Sequence, residues 1–408
     1  MADEGGQRTA REKAPAHRLP RRRSGLGYKG CLAAALTLAA VTACSSGASS
    51  SSSSSAATGG GTAAAGCTAP SVVNIGAFTG AGVVLSQDVS KAKDYFSAVE
   101  QACHTSIQFP TFSTPTAMLS GLASGDLQFA IFTASNDILS ALHGEHLMDV
   151  VNLGQGGGGV LVSAPSNKSK GSGITALKNY GAGTTWAITS LNSTANAYCD
   201  AMLAAAGVDY TKINYQAVGI AGAGSAVTSG KAQVGFANAV QAGQLVSSGQ
   251  AYVIANTGGS EAYAVTGLQP ALGLQSLPSF VSKYPVLTQK IVAAELQGLF
   301  FIQDNYTNPA AVYDLEPSSY QATTPESAFA AGWAWNAGFF APVTGLLTEA
   351  DIHNAGQLMQ KYGLIPSGAA IPTVQVDPSI VQAAYKALGK PVPTTTTIQK
   401  YLDAVPNN

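Results

Sequence analysis

Residues 117–135 read "AMLSGLASGDLQFAIFTAS" and contain a helix, a stop and a strand in succession. Leu119, Leu122 and Ala123 are spaced three and four positions apart, so they share one face of a helix. Gly125 follows, and glycine readily adopts the left-handed conformation that ends many helices. The apolar run after it is short, as a buried parallel strand is. The stretch therefore predicts a helix–glycine–strand unit.

A second stretch, residues 229–237, reads "SGKAQVGFA" and repeats the pattern Ser-Gly-x-x-Gln followed by apolar residues. Gly230 takes the position of the stop. Because a helix–glycine–strand unit recurs in any α/β protein, the repetition alone fits either a duplicated lobe or a coincidence.

The wider pattern favours two lobes. Strand-like apolar runs alternate with helix-like segments from residue 70, and a second set of the same alternation begins at residue 164. Such alternation predicts βα units. We expect an α/β, two-lobed fold in which each lobe is a mostly parallel sheet flanked by helices. Lobe one would comprise residues 70–163 with 260–408, and lobe two residues 164–259. The repeated pattern then occurs once per lobe, before each lobe's third loop.

The N-terminal segment, residues 1–43, has the pattern of an export signal, because a basic region precedes a short apolar one. It ends in "VTAC", which resembles a bacterial lipobox and implies a lipid-modified Cys44. The alternative is an ordinary signal peptide with an incidental cysteine. Residues 44–69 are mostly Ser, Ala, Gly and Thr and predict a flexible tether. The folded part would then lie at the cell membrane, lipid-anchored, on the extracytoplasmic side.

The charge distribution excludes some classes of partner. All six arginines lie between Arg8 and Arg23, and after residue 43 there are 13 lysines against 19 acidic residues, a formal net charge of −6. No basic stripe exists, so we expect no binding of nucleic acid. No later stretch is apolar over the roughly 18 residues that a membrane span requires.

Three cysteines remain after the export segment: Cys67, Cys103 and Cys199. An exported protein can form a disulfide, and an odd number leaves one thiol over. Cys67 precedes the first predicted strand and Cys103 precedes the second, and neighbouring parallel strands begin at the same edge of a sheet. We therefore favour a Cys67–Cys103 bond. The alternative is that all three are small buried apolar residues.

Several stretches resemble one known family. Residues 117–135, quoted above, residues 174–219 ("ITALKNYGAGTTWAITSLNSTANAYCDAMLAAAGVDYTKINYQAVG") and residues 280–315 ("FVSKYPVLTQKIVAAELQGLFFIQDNYTNPAAVYDL") are similar to periplasmic binding proteins of the nitrate/taurine/thiamine-precursor group. These are substrate-binding proteins of ABC transporters. The resemblance implies the type II fold, a double hinge, a small-molecule ligand in the cleft and delivery to an ABC permease. It implies a monomeric binding protein without a cofactor.

The candidate ligand-binding residues follow from the geometry of such sheets, because ligands bind beyond the carboxyl ends of the strands. Hydroxyl and amide side chains at these ends either cap the next helix or present hydrogen bonds to a ligand beside free helix N–H groups. The predicted set is Phe78, Thr79, Ser113, Thr114, Ser135 and Asn136 in lobe one, and Trp186, Asn192, Ser193, Thr194 and Asn238 in lobe two.

The lack of arginine constrains the ligand, because strongly anionic ligands usually meet an arginine fork. We expect an uncharged or weakly charged ligand, such as an aromatic heterocycle stacked on Trp186, Phe78, Phe112 or Trp333. The alternative is that these rings are core residues. Lobe closure is expected at crossings near Gly159 and Gly259, where a run of glycines, 156–159, supplies freedom.

Enzymatic function is the main alternative to binding. Thiamine-precursor synthases share the family's fold and use a histidine with a cysteine-rich motif, and this sequence has no such cysteine cluster. The "HGEH" at residues 143–146 lacks the spacing of a zinc-protease motif, so no metal site is expected. An enzyme acting on a small heterocycle and a ligand-sensing lipoprotein remain the other two hypotheses.

Overall fold

The computed structural model describes residues 66–78, 85–394, 402–403 and 405–408. The export signal, Cys44, most of the predicted tether and Thr79 lie outside the described residues. No helix in the described part of the chain is both long and apolar enough to span a bilayer.

The described chain alternates between strands and helices, with short 3₁₀ turns at Pro165–Lys170, Ile174–Tyr180 and Tyr210–Lys212. The strands are β1 (Val72–Phe78), β2 (Ser106–Gln108), β3 (Thr111–Phe112), β4 (Phe129–Phe132), β5 (Met148–Gln155), β6 (Val160–Ser163), β7 (Thr185–Ile188), β8 (Asn214–Ala217), β9 (Val234–Ala237), β10 (Tyr252–Asn256), β11 (Pro270–Ser276) and β12 (Gln375–Val376). The helices are α1 (Leu85–Ala92), α2 (Ser97–Cys103), α3 (Pro115–Ser124), α4 (Ala134–Leu142), α5 (Thr194–Ala205), α6 (Gly222–Thr228), α7 (Ala239–Ser247), α8 (Ser260–Thr266), α9 (Pro278–Lys283), α10 (Pro285–Asp304), α11 (Pro309–Tyr313), α12 (Ser318–Gln321), α13 (Glu326–Phe340), α14 (Glu349–Lys361) and α15 (Pro378–Ala387).

The strands form two sheets of the same design. The first has the order β12-β5-β11-β4-β1-β2, with β3 also paired to β1, and the second has the order β10-β6-β9-β7-β8. In the first sheet β1 pairs in parallel with β2 and β4, and in the second sheet β7 pairs in parallel with β8 and β9. The expected α/β class with helix-flanked sheets is confirmed.

Each sheet also contains one antiparallel strand that the apolar pattern did not reveal. β11 runs antiparallel to β4 and β5, and β6 runs antiparallel to β9 and β10. Both strands enter their sheet from a crossing between the lobes. An apolar run carries no sign of strand direction, so periodicity alone could not distinguish them from parallel strands.

The chain enters the second sheet before residue 164, the start of lobe two predicted from the sequence. β6 (Val160–Ser163) pairs within the second sheet, although the sequence assigned these residues to lobe one. The first crossing therefore lies between Gln155 and Val160. Two helices from the segment assigned to lobe one also contact lobe two: α8 packs against α5, and α13 packs against α7.

The two repeated glutamines occupy equivalent places in the two sheets. Gln128 precedes β4, and its side-chain Oε1 accepts a hydrogen bond of 2.8 Å from the backbone N–H of Asn74 in β1. Gln233 precedes β9, and its Oε1 accepts a bond of 2.7 Å from the backbone N–H of Thr185 in β7. The glutamine thus joins β4 to β1 in lobe one and β9 to β7 in lobe two.

Each lobe has its own apolar core. The core of lobe one surrounds α10 and includes Ile75 and Phe129, and that of lobe two includes Trp186 and Met202, all four being almost completely inaccessible to solvent. Cys67 and Cys103 form a disulfide with a Cα–Cα distance of 4.7 Å, which joins the chain before β1 to the end of α2.

Candidate functional site

A cleft of about 580 Å³ lies between the two lobes. Its walls are formed by the carboxyl ends of β1 and β9 and by the N-terminal turns of α3, α4, α5 and α7, and Gly157 and Gly158 of the first crossing lie at its base. Because elements of both sheets face the same space, a ligand there would contact both lobes.

Most of the predicted site residues line this cleft. Lobe one contributes Phe78, Ser113, Ser135 and Asn136, and lobe two contributes Asn192, Ser193, Thr194 and Asn238. Thr114 is not among the lining residues. It is the N-cap of α3, and its Oγ1 accepts a bond of 3.4 Å from the N–H of Ala117.

The expectation that Trp186 would offer a stacking platform is wrong. Trp186 is completely buried in the core of lobe two, and its indole Nε1 donates to the backbone O of Tyr180 at 3.2 Å and to Thr184 Oγ1 at 3.1 Å. Its ring meets Tyr215 edge to face, with centroids 6.3 Å apart. Trp186 is the second of the four residues of β7, so it lies inside the strand rather than at its carboxyl end.

Two other expected platforms also face away from the cleft. Trp333 is 6% exposed, stacks on Phe329 with centroids 5.5 Å apart and donates to the backbone O of Tyr306 at 2.6 Å. Phe112 is half-buried against the apolar side chains packed around α3 and β4. Of the four rings proposed from sequence, Phe78 alone is among the lining residues.

The loop before α5 is held in place by a buried network. Asn192 has a left-handed backbone with φ of 56°, and its N–H donates to Asn196 Oδ1 at 3.2 Å. Asn196 Nδ2 donates to Asp200 Oδ2 at 3.0 Å, and Tyr215 donates its hydroxyl proton to Asp200 Oδ1 at 2.6 Å. No group in the described part of the chain pairs with the side-chain amide of Asn192, which is left to face the cleft.

Burial raises the pKa of Asp200 to about 7, and the hydrogen bond from Tyr215 opposes that shift. The carboxyl group remains an acceptor for both of its donors in either protonation state. Ser193 completes the loop, because its Oγ accepts from the N–H of Asn196 at 3.3 Å and donates to the backbone O of Ser190 at 2.7 Å. These hydrogen bonds within the protein hold the loop in place without a ligand.

Helix capping and ligand binding are compatible at two of the predicted amides. Asn238 caps α7 with its Oδ1, which accepts from the N–H of Gln241 at 2.7 Å. Asn136 accepts a bond of 2.6 Å from the hydroxyl of Thr133 at its Oδ1. In both cases the amide oxygen is used within the protein and the Nδ2 remains a donor. The amides therefore offer the cleft mainly hydrogen-bond donors.

Sequence reasoning missed the aromatic base of the cleft, formed by Phe236 and Phe339. Phe236 is the third residue of β9 and packs against Gly159, where an added Cβ would collide with its ring. Phe339, near the end of α13, packs against Gly154 and Gly158 in the same way. The glycine run 156–159, which the sequence predicts as a hinge, also leaves space for these two rings.

The other side chains that line the cleft, which were not in the predicted set, are mainly apolar. They include Leu119, Leu139, Leu191, Ile220 and Leu272. Among the described residues that line the cleft, none is lysine or arginine, and the ionisable ones are His143 and Glu145, both exposed at the rim. An apolar interior with a few placed polar groups is typical of small-molecule sites.

The two crossings of the hinge are bonded to each other. The Oγ1 of Thr257 accepts from the N–H of Gly159 at 3.0 Å and donates to its carbonyl O at 2.5 Å. The N–H of Thr257 also donates to that carbonyl, at 3.1 Å. Gly156 and Gly158 have φ of 85° and 66°, which other residues rarely adopt, so glycine is needed there.

Comparison with solved structures identifies the fold. A protein from Bordetella bronchiseptica RB50 superposes with a TM-score of 0.66 at 16% sequence identity, over 79% of this chain and 99% of the other. The periplasmic nitrate-binding protein NrtA from Synechocystis PCC 6803 gives 0.63 at 12% identity, over 82% and 98%. The chain has the periplasmic-binding-protein fold. The alkanesulfonate-binding protein SsuA from Xanthomonas axonopodis pv. citri, bound to MOPS, gives 0.58 at 16% identity, over 76% and 99%.

No protein-family model matches the sequence, and no curated protein matches it. At these identities, the shared structure establishes the periplasmic-binding-protein fold and does not identify the ligand.

Proposed function

We propose that the protein is an extracytoplasmic solute-binding protein that captures a small molecule between its lobes and delivers it to an ABC importer. The observation that carries this proposal is the cleft itself. It lies at the carboxyl ends of the strands of both sheets, and side chains from both lobes line it. A ligand that contacts both lobes stabilises the closed arrangement over the open one, which is the signal an importer needs.

The lining supports an uncharged or weakly charged ligand with an apolar body. NrtA and SsuA are named for nitrate and alkanesulfonate, which are anions. In this cleft the described lining has no lysine or arginine, and Phe78, Phe236 and Phe339 supply ring surfaces. The donors left free on Asn136 and Asn238 suit acceptor atoms, such as carbonyl oxygens or ring nitrogens, along one edge of the ligand.

We also propose that Cys44 carries a lipid anchor and that the segment from Ser45 to about Gly66 tethers the folded part, to which the disulfide fixes Cys67, to the outer face of the cell membrane. The support is the lipobox-like "VTAC" at the end of the apolar segment. A Cys44→Ser variant should move from the membrane fraction to the soluble fraction. Unchanged membrane association of this variant contradicts the anchor without affecting the proposed cleft.

One experiment separates binding from catalysis. The purified protein is denatured, the released small molecules are identified by mass spectrometry, and each candidate is returned to the protein in a thermal-shift assay. A binding protein is stabilised by the compound and releases it unchanged. Conversion of the compound into a product would favour the enzyme hypothesis, and failure of every candidate to stabilise the protein would contradict a ligand in the cleft.

A further inference from the structure

Residues 405–408 lie against the second crossing between the lobes, which runs from the end of β10 at Asn256 to the start of β11 at Pro270. The backbone N–H of Asn256, the last residue of β10, donates to the backbone O of Asn407 at 2.8 Å. The side-chain Nδ2 of Asn256 donates to the backbone O of Pro406 at 3.0 Å. One residue of the crossing thus bonds the segment twice, and Val405 is 4% exposed.

The side chain of Asn407 adds two more bonds to the start of α8. Its Oδ1 accepts from the backbone N–H of Glu261 at 3.0 Å and from the hydroxyl of Ser260 at 3.2 Å. In this position Asn407 acts as the N-cap partner that α8 lacks locally, because Gly259 has no side chain. Gly259 also leaves room for the segment, since an added Cβ would lie 2.6 Å from Asn407 Oδ1.

These contacts place a third pass of the chain in the hinge. Thr257 bonds Gly159 of the first crossing, and the adjacent Asn256 bonds Asn407. The chain reaches this position from lobe one, because α15 (Pro378–Ala387) packs against α10 and β5. Hydrogen bonds therefore join the first crossing to the second and the second to residue 407, where the lobes would rotate.

We propose that residues 405–408 form a third hinge strand that limits the rotation of lobe two against lobe one. Two crossings leave the lobes free to twist as well as to close. A third pass that starts in lobe one and is bonded to the start of α8 removes part of that twist, so the lobes open and close along a narrower path. This inference concerns the hinge and does not depend on the identity of any ligand.

Two variants release the segment in different ways. Deletion of residues 405–408 removes every contact of the segment. Gly259→Ala keeps the segment but places a methyl group where Asn407 docks, and so displaces it. Gly259 has φ of −80°, so alanine fits its backbone and adds only the methyl group that meets Asn407. Gly181→Ala is the matched control, because its added Cβ would lie at an ordinary 3.4 Å from the nearest atom, on Val208.

The first measurement is amide hydrogen exchange across residues 250–266 in the full chain. In both release variants, exchange at Asn256 and Glu261 should rise about tenfold, because each amide loses its acceptor on Asn407. Gly181→Ala should leave both amides as in the parent. Unchanged exchange in the deletion variant would show that the segment is not docked and would overturn the proposal.

The second measurement is the distance between the lobes, by pulsed electron paramagnetic resonance. Spin labels are attached to cysteines introduced at Ser124 and Ser229, which are exposed and occupy the same place in the two repeated stretches. The distance distribution should be broader in both release variants than in the parent and in Gly181→Ala. Faster exchange with an unchanged distribution would mean that the segment docks without restraining the lobes, and this result also overturns the proposal.

Discussion

Lobe one and lobe two share the same arrangement of strands and differ in the acidic residues that they bury. In both lobes the side chain of the repeated glutamine accepts a hydrogen bond from the neighbouring parallel strand, β1 or β7. Its backbone carbonyl accepts a hydrogen bond from a serine hydroxyl of the antiparallel strand, Ser276 to Gln128 and Ser163 to Gln233, each at 2.6 Å. One residue thus joins three neighbouring strands in each sheet. The repetition in the sequence reflects this shared junction.

The difference lies in the buried acids. Lobe one buries Glu295 completely in α10. Its Oε1 accepts a hydrogen bond from Gln87 Nε2 at 3.3 Å, and its Oε2 has no partner in the described part of the chain. Lobe two buries Asp200, whose two oxygens accept from Asn196 and Tyr215. Burial of Glu295 in lobe one therefore costs solvation free energy with little hydrogen bonding in return. In lobe two, Asp200 holds the loop at the cleft.

The disulfide should give the largest contrast in stability between the lobes. It closes a loop of 36 residues in lobe one, so removal by Cys67→Ala with Cys103→Ala should lower the free energy of unfolding by about 3–4 kcal/mol. Lobe two has the buried free Cys199, where Cys199→Ala should cost only about 1 kcal/mol. Urea denaturation measures both. Equal losses would contradict this asymmetry.

The buried Glu295 should make stability depend on pH. Burial raises the pKa of Glu295 to about 8 from its ordinary 4.5, so between these values the unfolded chain has lost the proton that the folded chain retains. Stability therefore falls as pH rises through this window and changes no further above it. The slope is at most about 1.4 kcal/mol per pH unit, or about 2–3 kcal/mol between pH 5 and pH 7.

Glu295→Gln tests this contribution, because the amide is uncharged at every pH and its oxygen can still accept from Gln87. Urea denaturation at pH 5, 6 and 7 should give a flatter profile for the variant than for the parent. Glu316, whose pKa burial also raises to about 8, and the buried Asp137 and Asp149 still titrate, so part of the dependence should remain. Identical profiles would show that Glu295 is not a protonated buried acid.

The polar residues near the strand ends could be predicted from sequence, but the aromatic base of the cleft could not. Asn136, Asn192 and Asn238 lie within four residues of the end of a strand, so local spacing is enough to find them. Phe339 lies near the end of a helix about two hundred residues after the lobe-one residues that it faces, and no local pattern marks such a contact. Trp186 failed for the opposite reason, because strand length, which sets where the carboxyl end falls, is poorly defined by sequence.

The loop of lobe two should matter for binding through the Asn192 amide. Asn192→Gly keeps the left-handed backbone and removes the amide, so affinity for the co-purified compound should fall by about 1–3 kcal/mol, or roughly 5- to 150-fold. Asn136→Ala is the counterpart in lobe one and should also weaken binding. Calorimetric titration measures both. If both variants bind as the parent does, the ligand lies elsewhere.

The two glutamines give the smallest expected effect and the most direct test of the shared framework. Gln128→Ala leaves the backbone N–H of Asn74 in β1 without its acceptor, and Gln233→Ala does the same to Thr185 in β7, so each should lower the free energy of unfolding by about 1–2 kcal/mol. The two share no partner, so the double variant should lose the sum. The exposed Gln250 serves as a control, where alanine should change little.

Gln233→Glu sharpens this last test, because its carboxylate still accepts from the N–H of Thr185. It should recover most of the stability that Gln233→Ala loses, which a loss of packing alone would not explain. Urea midpoints at neutral pH measure the series. Large losses in one lobe and none in the other would mean that the repeated residue holds only one sheet together, and that the resemblance of the two stretches does not reflect a shared structural role.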